Sequence, residues 1–317
     1  MRFVAKKLVA LVVVLFVVST MSFLLVRALP GNVALNLLGP TATPQAIKAK
    51  EHELKLDRPL PAQYAAYVGN VVHGNLDKSL QNGQPISEAI KQRLPVTLEL
   101  LLLSQLLAVA LAIPLGILSA YRPNGFIDRV STTASFGLLA APAYVSGVFL
   151  VYLLAIQFHV FPAIGFQRLG DGVGANLRSV ALPVLTLALP EIAAYLRLLR
   201  SDMIATLQED FITMAKAKGL PTSYILLRHA LRPSTFSVVT IAGLNIGRLI
   251  GGTLIVEVLF QQAGIGAFTI QSIFIKDYPA VQGCVLVIAV GYVLANFVVD
   301  LSYAAIDPRV RRARAVA

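Results

Sequence analysis

Charge is what this sequence has least of. Asp, Glu, Lys and Arg make up 14% of its 317 residues, and apolar residues make up 56%. A soluble domain of this size carries about 25% charged residues. The deficit, together with several apolar runs near twenty residues, excludes an ordinary soluble domain and predicts a polytopic membrane protein. Cysteine is almost missing. Cys284 stands alone inside an apolar run, so no intrachain disulfide can form. The four histidines (His52, His73, His159, His229) are scattered over three loops, and no pair has metal-ligand spacing. No metal site is expected. The chain has no G-x-x-x-x-G-K-[ST] and therefore no ATP site of its own. It also lacks G-x-S-x-G, S-x-x-K and H-E-x-x-H, which argues against a membrane hydrolase or any other enzyme.

What is present is a basic excess, with a formal charge of +11. Lys and Arg cluster beside the apolar runs. That placement fits the positive-inside rule and a lipid bilayer as neighbour, not nucleic acid. Arg2, Lys6 and Lys7 precede the run 8–26, which is long enough to span. A cleavable signal peptide is the alternative, but Arg27 in the cleavage region argues against removal. Residues 29–95 are too polar to span and hold seven basic and five acidic residues. Helical pieces are expected there at 44–56, 62–72 and 86–93, broken by Pro and Gly. About 65 residues is long for a structureless connection, so an ordered extracytoplasmic segment is expected.

Five further spans are expected, at 96–121, 130–158, 179–199, 237–260 and 283–305. Pro114, Pro142, Pro183 and Pro190 lie inside them. Proline is tolerated in membrane helices where neighbours or water satisfy the freed carbonyls. Arginines at 122 and 129, around 197–232, and at 309–314 fall on one side. The predicted fold is therefore an all-α polytopic membrane protein with six transmembrane helices and both termini cytoplasmic. Its parts are a first helix (1–29), the extracytoplasmic segment (30–95), a five-helix core (96–306) with a cytoplasmic loop at 201–234, and a basic tail (307–317).

Ionisable residues inside spans are costly and read as functional candidates. They are Glu191 after Pro190, Arg248 and Glu257 in the fifth span, and Asp300 in the sixth. Each either lines a path or makes a structural hydrogen bond in the bundle. Glu99, opening the second span, fits an interfacial position. Arg248 and Glu257 are nine residues apart, about 13–14 Å along a helix axis, and so are no intrahelical pair. Arg248 needs a polar cavity, a partner helix or an acidic group. Gly243, Gly247, Gly251 and Gly252 are spaced for close helix packing.

The stretch 210–233, DFITMAKAKGLPTSYILLRHALRP, is polar and basic between apolar runs. It reads as two short helices around a turn at Gly219-Leu220-Pro221. Phe211, Met214 and Ala215 share one face of the first, and Tyr224, Leu227 and Leu231 one face of the second. Such a pair either lies on the membrane surface or docks into a groove of another protein. The small residues Ala215, Ala217 and Gly219 suit a groove.

These residues also carry a family resemblance. Thr213 through Gly219, TMAKAKG, followed by Arg228 through Arg232, RHALR, resembles the cytoplasmic EAA loop of ABC importer permeases of the dipeptide/oligopeptide/nickel type. Leu56-Asp57-Arg58-Pro59-Leu60 with Gln63-Tyr64, Arg93 through Thr97 (RLPVT), Gly252 through Gly266 (GTLIVEVLFQQAGIG) and Tyr303 through Arg309 (YAAIDPR) are similar to other stretches of that subgroup. The departures lie mostly on the outer side: Asn75 and Asn32 stand where Asp is usual, and Ala263 where proline is common. The signature glutamate is replaced by Met214 or Thr213.

The resemblance implies a multi-pass protein of the bacterial inner membrane. It implies a pairing with a second homologous permease subunit as a heterodimer, with two cytoplasmic ATPases and with an extracytoplasmic substrate-binding protein. ATP and Mg would be bound by the ATPases, and this chain would hold no cofactor. Docking to the ATPase would fall on Asp210, Ala215, Lys216, Ala217, Lys218, Gly219, Arg228 and Arg232. The expected cargo is peptide. Nickel, haem or another small cargo is the alternative within transport, and a stand-alone secondary transporter is the alternative of another class. The absence of inverted repeats counts against the latter.

Overall fold

The computed structural model describes the backbone of residues 2–28, 34, 38, 42–53 and 57–306, and the side chains of residues 9–24, 34, 38, 42–53 and 57–299. Among these, regular structure is helical, with one isolated antiparallel bridge between Lys78 and Pro85. The helices are α1 (Arg2–Ala28), α2 (Pro44–Glu53), α3 (Leu60–Val72), α4 (Ile86–Tyr121), α5 (Phe126–Ala140), α6 (Ala143–Leu150, running on as a π turn through Gln157), α7 (Val173–Thr206), α8 (Asp210–Ala217), α9 (Thr222–Leu259), α10 (Ile265–Phe274) and α11 (Tyr278–Ile306).

Four of them, α4, α7, α9 and the part of α11 up to Val299, are long and apolar enough to cross a membrane. A fifth crossing arises if α5 and α6 count as one broken span. The α5–α6 junction departs from the expected single helix at 130–158, because the two pieces meet at 111°. Ala141 is extended there (φ −83°, ψ 131°). Pro142 favours this, since its ring crowds the α conformation of the residue before it. The helix α1 runs for 27 residues, Arg2–Ala28.

Two other boundaries differ from expectation. The piece expected at 86–93 is the first turns of α4, which runs through Pro95 and Pro114 without breaking. The second short helix expected in the 210–233 loop has no end of its own. It opens α9 and continues into the apolar span. In both places the helix on either side supplies enough continuous hydrogen bonding to carry an irregular residue. The stretch 261–282, between the last two expected spans, contains the helix α10.

The chain divides into two compact units. The first comprises Met1–Pro95 and Gly264–Leu294. There Tyr64 of α3 packs edge-on against Phe16 and Phe23 of α1, with ring centroids at 6.1 and 5.4 Å. The hydroxyls of Ser19 and Thr20 meet the Tyr64 hydroxyl at 3.0 and 2.7 Å. A second cluster joins Ile86 and Ile90 to Ile265, Ala280 and Cys284. Asp277 is buried beside it and accepts hydrogen bonds from the Ser79 hydroxyl and the Leu80 amide.

The second unit comprises Val96–Ala263 and Ala295–Ala317. Its centre is α7, whose buried face includes Leu182, Leu187, Ile192, Tyr195, Leu199 and Met203. Pro183 and Pro190 sit inside this helix without ending it. Helices α4, α5, α6 and α9 surround α7, and small residues set the spacing. A Cβ on Gly116 would lie 2.9 Å from Leu199, and one on Gly147 would lie 2.9 Å from Leu259 and 3.0 Å from Thr186. Of the glycines in the fifth span, Gly243 abuts Val299 and Gly252 lies near Leu187, but Gly251 faces open space.

Candidate coupling loop and buried ion pair

The loop at 210–233 is built from an N-terminal acid, a left-handed turn and a helix that does not stop. Asp210 opens α8, where a carboxylate favours the helix dipole. Ile212 and Ala215 turn inward against Ile225 and Ala230. Gly219 then takes φ +73°. Its amide donates to the Lys216 carbonyl at 2.9 Å, and the Leu220 amide donates to the Ala215 carbonyl at 3.3 Å. This is a Schellman closure, in which the left-handed residue satisfies the last carbonyls of the helix. Thr222 restarts the chain as α9, which passes through a π segment at Ile225–Ala230 before becoming regular.

The expected face is split by this packing. Phe211 and Met214 are exposed, as are Tyr224 and Leu227, but Ala215 is buried. At about 100° per residue Ala215 lies between Phe211 and Ile212. The inward pull of Ile212 decides its direction. Ala215 is therefore part of the chain's own core and not of its outer surface. Asp210, Lys216, Ala217, Lys218, Gly219, Arg228 and Arg232 are all exposed. The outer surface thus carries four large apolar side chains among four cations. A loop lying free would gain nothing by exposing Met214 at 60% and Leu227 at 58%. Exposed apolar surface rimmed by charge marks a contact site.

Two of the four intramembrane candidates, Glu191 and Arg248, form a pair. Arg248 Nη2 donates to Glu191 Oε1 at 2.6 Å, and Asn245 Nδ2 donates to Glu191 Oε2 at 2.7 Å. One turn along α7 from Glu191, the Tyr195 hydroxyl meets the Gln105 side chain at 3.0 Å. Glu257 is buried and accepts from Thr97 Oγ1 at 2.6 Å. The side chain of Asp300 lies outside the described residues.

Sequence reasoning missed one ion pair. Asp128 is buried at the start of α5 and binds Arg200 of α7 through both carboxylate oxygens, with Arg200 Nη2 at 2.7 Å. The Asn124 amide donates to the same carboxylate at 2.8 Å. The partners are 72 residues apart, and each separately reads as a sidedness signal. Asp128→Ala leaves Arg200 half-buried without its counter-ion, and breaking such a pair costs about 3–5 kcal/mol. The expected result is a lower thermal midpoint of the purified protein, checked by a fluorescence melt.

Outside the spans, the His52 ring holds the Asp57 carboxyl below its usual range through a 2.8 Å hydrogen bond. Among the described residues no three His, Cys, Asp or Glu side chains converge as metal ligands would.

Residues 112–312 match the family of binding-protein-dependent transport system inner membrane components. Residues 1–101 match the N-terminal segment of the same membrane component. The chain belongs to this permease family. The permease is similar to a probable peptide ABC transporter permease protein, y4tP, of Sinorhizobium fredii, at 36% identity over 98% of this chain and 99% of that one. It is also 34% identical to the glutathione transport system permease protein GsiC of Shigella flexneri and 33% identical to GsiC of Escherichia coli K12. Both matches cover 98% of this chain and 99% of the relative. The permease is thus a multi-pass membrane component of an ABC importer, as the loop motifs imply.

Proposed function

We propose that this chain forms half of the translocation path of an ATP-driven importer for peptide-like cargo. Its partners are a second, homologous permease subunit in a heterodimer, two cytoplasmic ATPases that bind ATP and Mg, and an extracytoplasmic substrate-binding protein. The proposed topology has six spans, with α1 as the first and the α5–α6 pair as the third, and both termini cytoplasmic. Residues 30–95 form an ordered extracytoplasmic segment. The names of the relatives, peptide and glutathione permeases, favour a cargo with peptide bonds over nickel or haem.

The observation that carries the coupling role is the exposed surface of Phe211, Met214, Tyr224 and Leu227 among Lys216, Lys218, Arg228 and Arg232. The apolar residues fill a groove on the ATPase, and the cations pair with its acidic rim. ATP-driven closure of the ATPases then pushes the loop. Because α9 is one helix from Thr222 to Leu259, the push is transmitted along a rigid rod. Arg228 and Arg248 are about 30 Å apart on it at 1.5 Å per residue.

Met214→Asp combined with Leu227→Asp places two charges in the groove contact. ATPase copurification with the permease pair is expected to fall at least about tenfold, as for loss of two buried apolar anchors. Undiminished copurification of the ATPase with this variant would refute the docking role.

A further inference from the structure

Arg248 sits on a helix apolar enough to cross a membrane, where a charge is costly unless it meets water or a partner. Its side chain is 57% exposed, but that of its counter-ion Glu191 is 2% exposed. Among the described residues Arg248 has one hydrogen-bond partner, the Glu191 oxygen reached through Nη2. A guanidinium carries five N–H donors in a planar fork, so most of the fork is unspent. Asn245 holds the other Glu191 oxygen. The carboxylate is therefore fixed from two directions inside the bundle, and the arginine is the open end of the pair. Leu244, Arg248, Gly251, Ile255 and Val258 are all exposed and recur at four- and three-residue steps, on one face of α9. At Gly251, one turn from Arg248, no atom lies within 4 Å of where a Cβ would stand. A cation on this stripe needs water or a polar group beside it, since lipid would leave the rest of its fork unsolvated.

We propose that Arg248 is a carboxylate-binding residue of the path. Its free N–H edge reads the carboxylate of a peptide-like cargo while Glu191 and Asn245 hold the other edge. The proposal rests on the importer reading above. An arginine suits the role because its fork matches a carboxylate at two points, which an ammonium does not. The permanent Glu191 contact suits it too. A cation already half-neutralised holds an anion loosely, and a path must bind cargo weakly enough to release it.

The test uses the complete importer, both permease subunits with ATPases and substrate-binding protein, in proteoliposomes with labelled dialanine and glutathione as probes. Arg248→Gln combined with Glu191→Gln removes both charges and leaves no buried ion unpaired. The expected result is an uptake rate about tenfold or more below wild type, as for loss of a charge-assisted hydrogen bond, with the complex assembled and recovered as in wild type. Glu191→Gln alone keeps the arginine and is expected to retain most of the uptake. Arg248→Lys keeps the counter-charge to Glu191, so it folds even where the double variant does not. It is expected to lose several-fold of the rate with the fork. Wild-type uptake by both Arg248 variants overturns the proposal. So does a loss in Glu191→Gln as large as that in the double variant, because the pair is then only structural. If the wild-type importer moves neither probe, the peptide reading itself falls, and the proposal with it.

Discussion

Replacing Gly219 by leucine is expected to abolish cargo-stimulated transport while leaving the assembled complex intact. Gly219 holds φ +73°, which an L side chain adopts at a cost of about 1–2 kcal/mol. That cost is too small to unfold a bundle of this size, and no atom lies within 4 Å of a Cβ at this position. The added side chain has room within the chain, so it projects outward. It projects beside Lys216 and Lys218, into the space the ATPase groove would occupy. The strain also loosens the Schellman closure that sets α8 against α9. Asn tolerates the left-handed region far better than Leu, so Gly219→Asn is expected to keep most of the transport. The measurement is ATP hydrolysis with and without loaded substrate-binding protein. Full stimulation in the leucine variant would show that the turn does not couple.

Replacing Gly243 by leucine is expected to have the opposite signature, with loss of the folded chain. A Cβ there would stand 2.2 Å from one Val299 methyl and 2.8 Å from the other. The Val299 Cβ would also stand 3.0 Å away, so turning its methyls aside leaves the contact tight and α9 and α11 must move apart. Overpacking of this kind costs about 1–3 kcal/mol for a single methylene and more for a larger group. Leucine adds a whole side chain to a contact that has no room for one carbon. The expected outcome is a steep fall in the amount of monodisperse protein recovered from membranes, read by detergent size-exclusion. Gly251→Leu, a change of the same size eight residues away in open space, is expected to leave that yield intact.

These two glycines mark what a sequence can and cannot say. Gly219 is legible from its neighbours, since a helix pattern that meets Gly-Leu-Pro must turn there. Gly243 belongs to a run of small residues that all look alike. Nothing local separates Gly243, pressed against Val299, from Gly251, which faces open space. Arg248 shows the same limit. Its need for an acidic group follows from its place in an apolar run, but Glu191, 57 residues away, is one of several acids that could meet that need. Asp128 and Arg200 were each legible only as loop charges. Local pattern put Ala215 on the docking face with Phe211 and Met214, but on the helical wheel it falls between an exposed and a buried neighbour, and packing turned it inward.

By itself the sequence determined the membrane class, the helical character of the apolar runs, the position of the loop and, through its motifs, the permease family. These follow from composition and from spacings shorter than one helix, where every interacting residue is close in the chain. Only the tertiary structure decided which charges pair, which glycines are crowded, that Pro142 turns the chain by 111° while Pro95 and Pro114 do not, and that the loop's second half is the start of α9. Each of these depends on what packs alongside. A proline crowds the residue before it at each of these positions, so the surroundings decide whether the helix runs on, and a charge takes whichever partner the packing brings within reach.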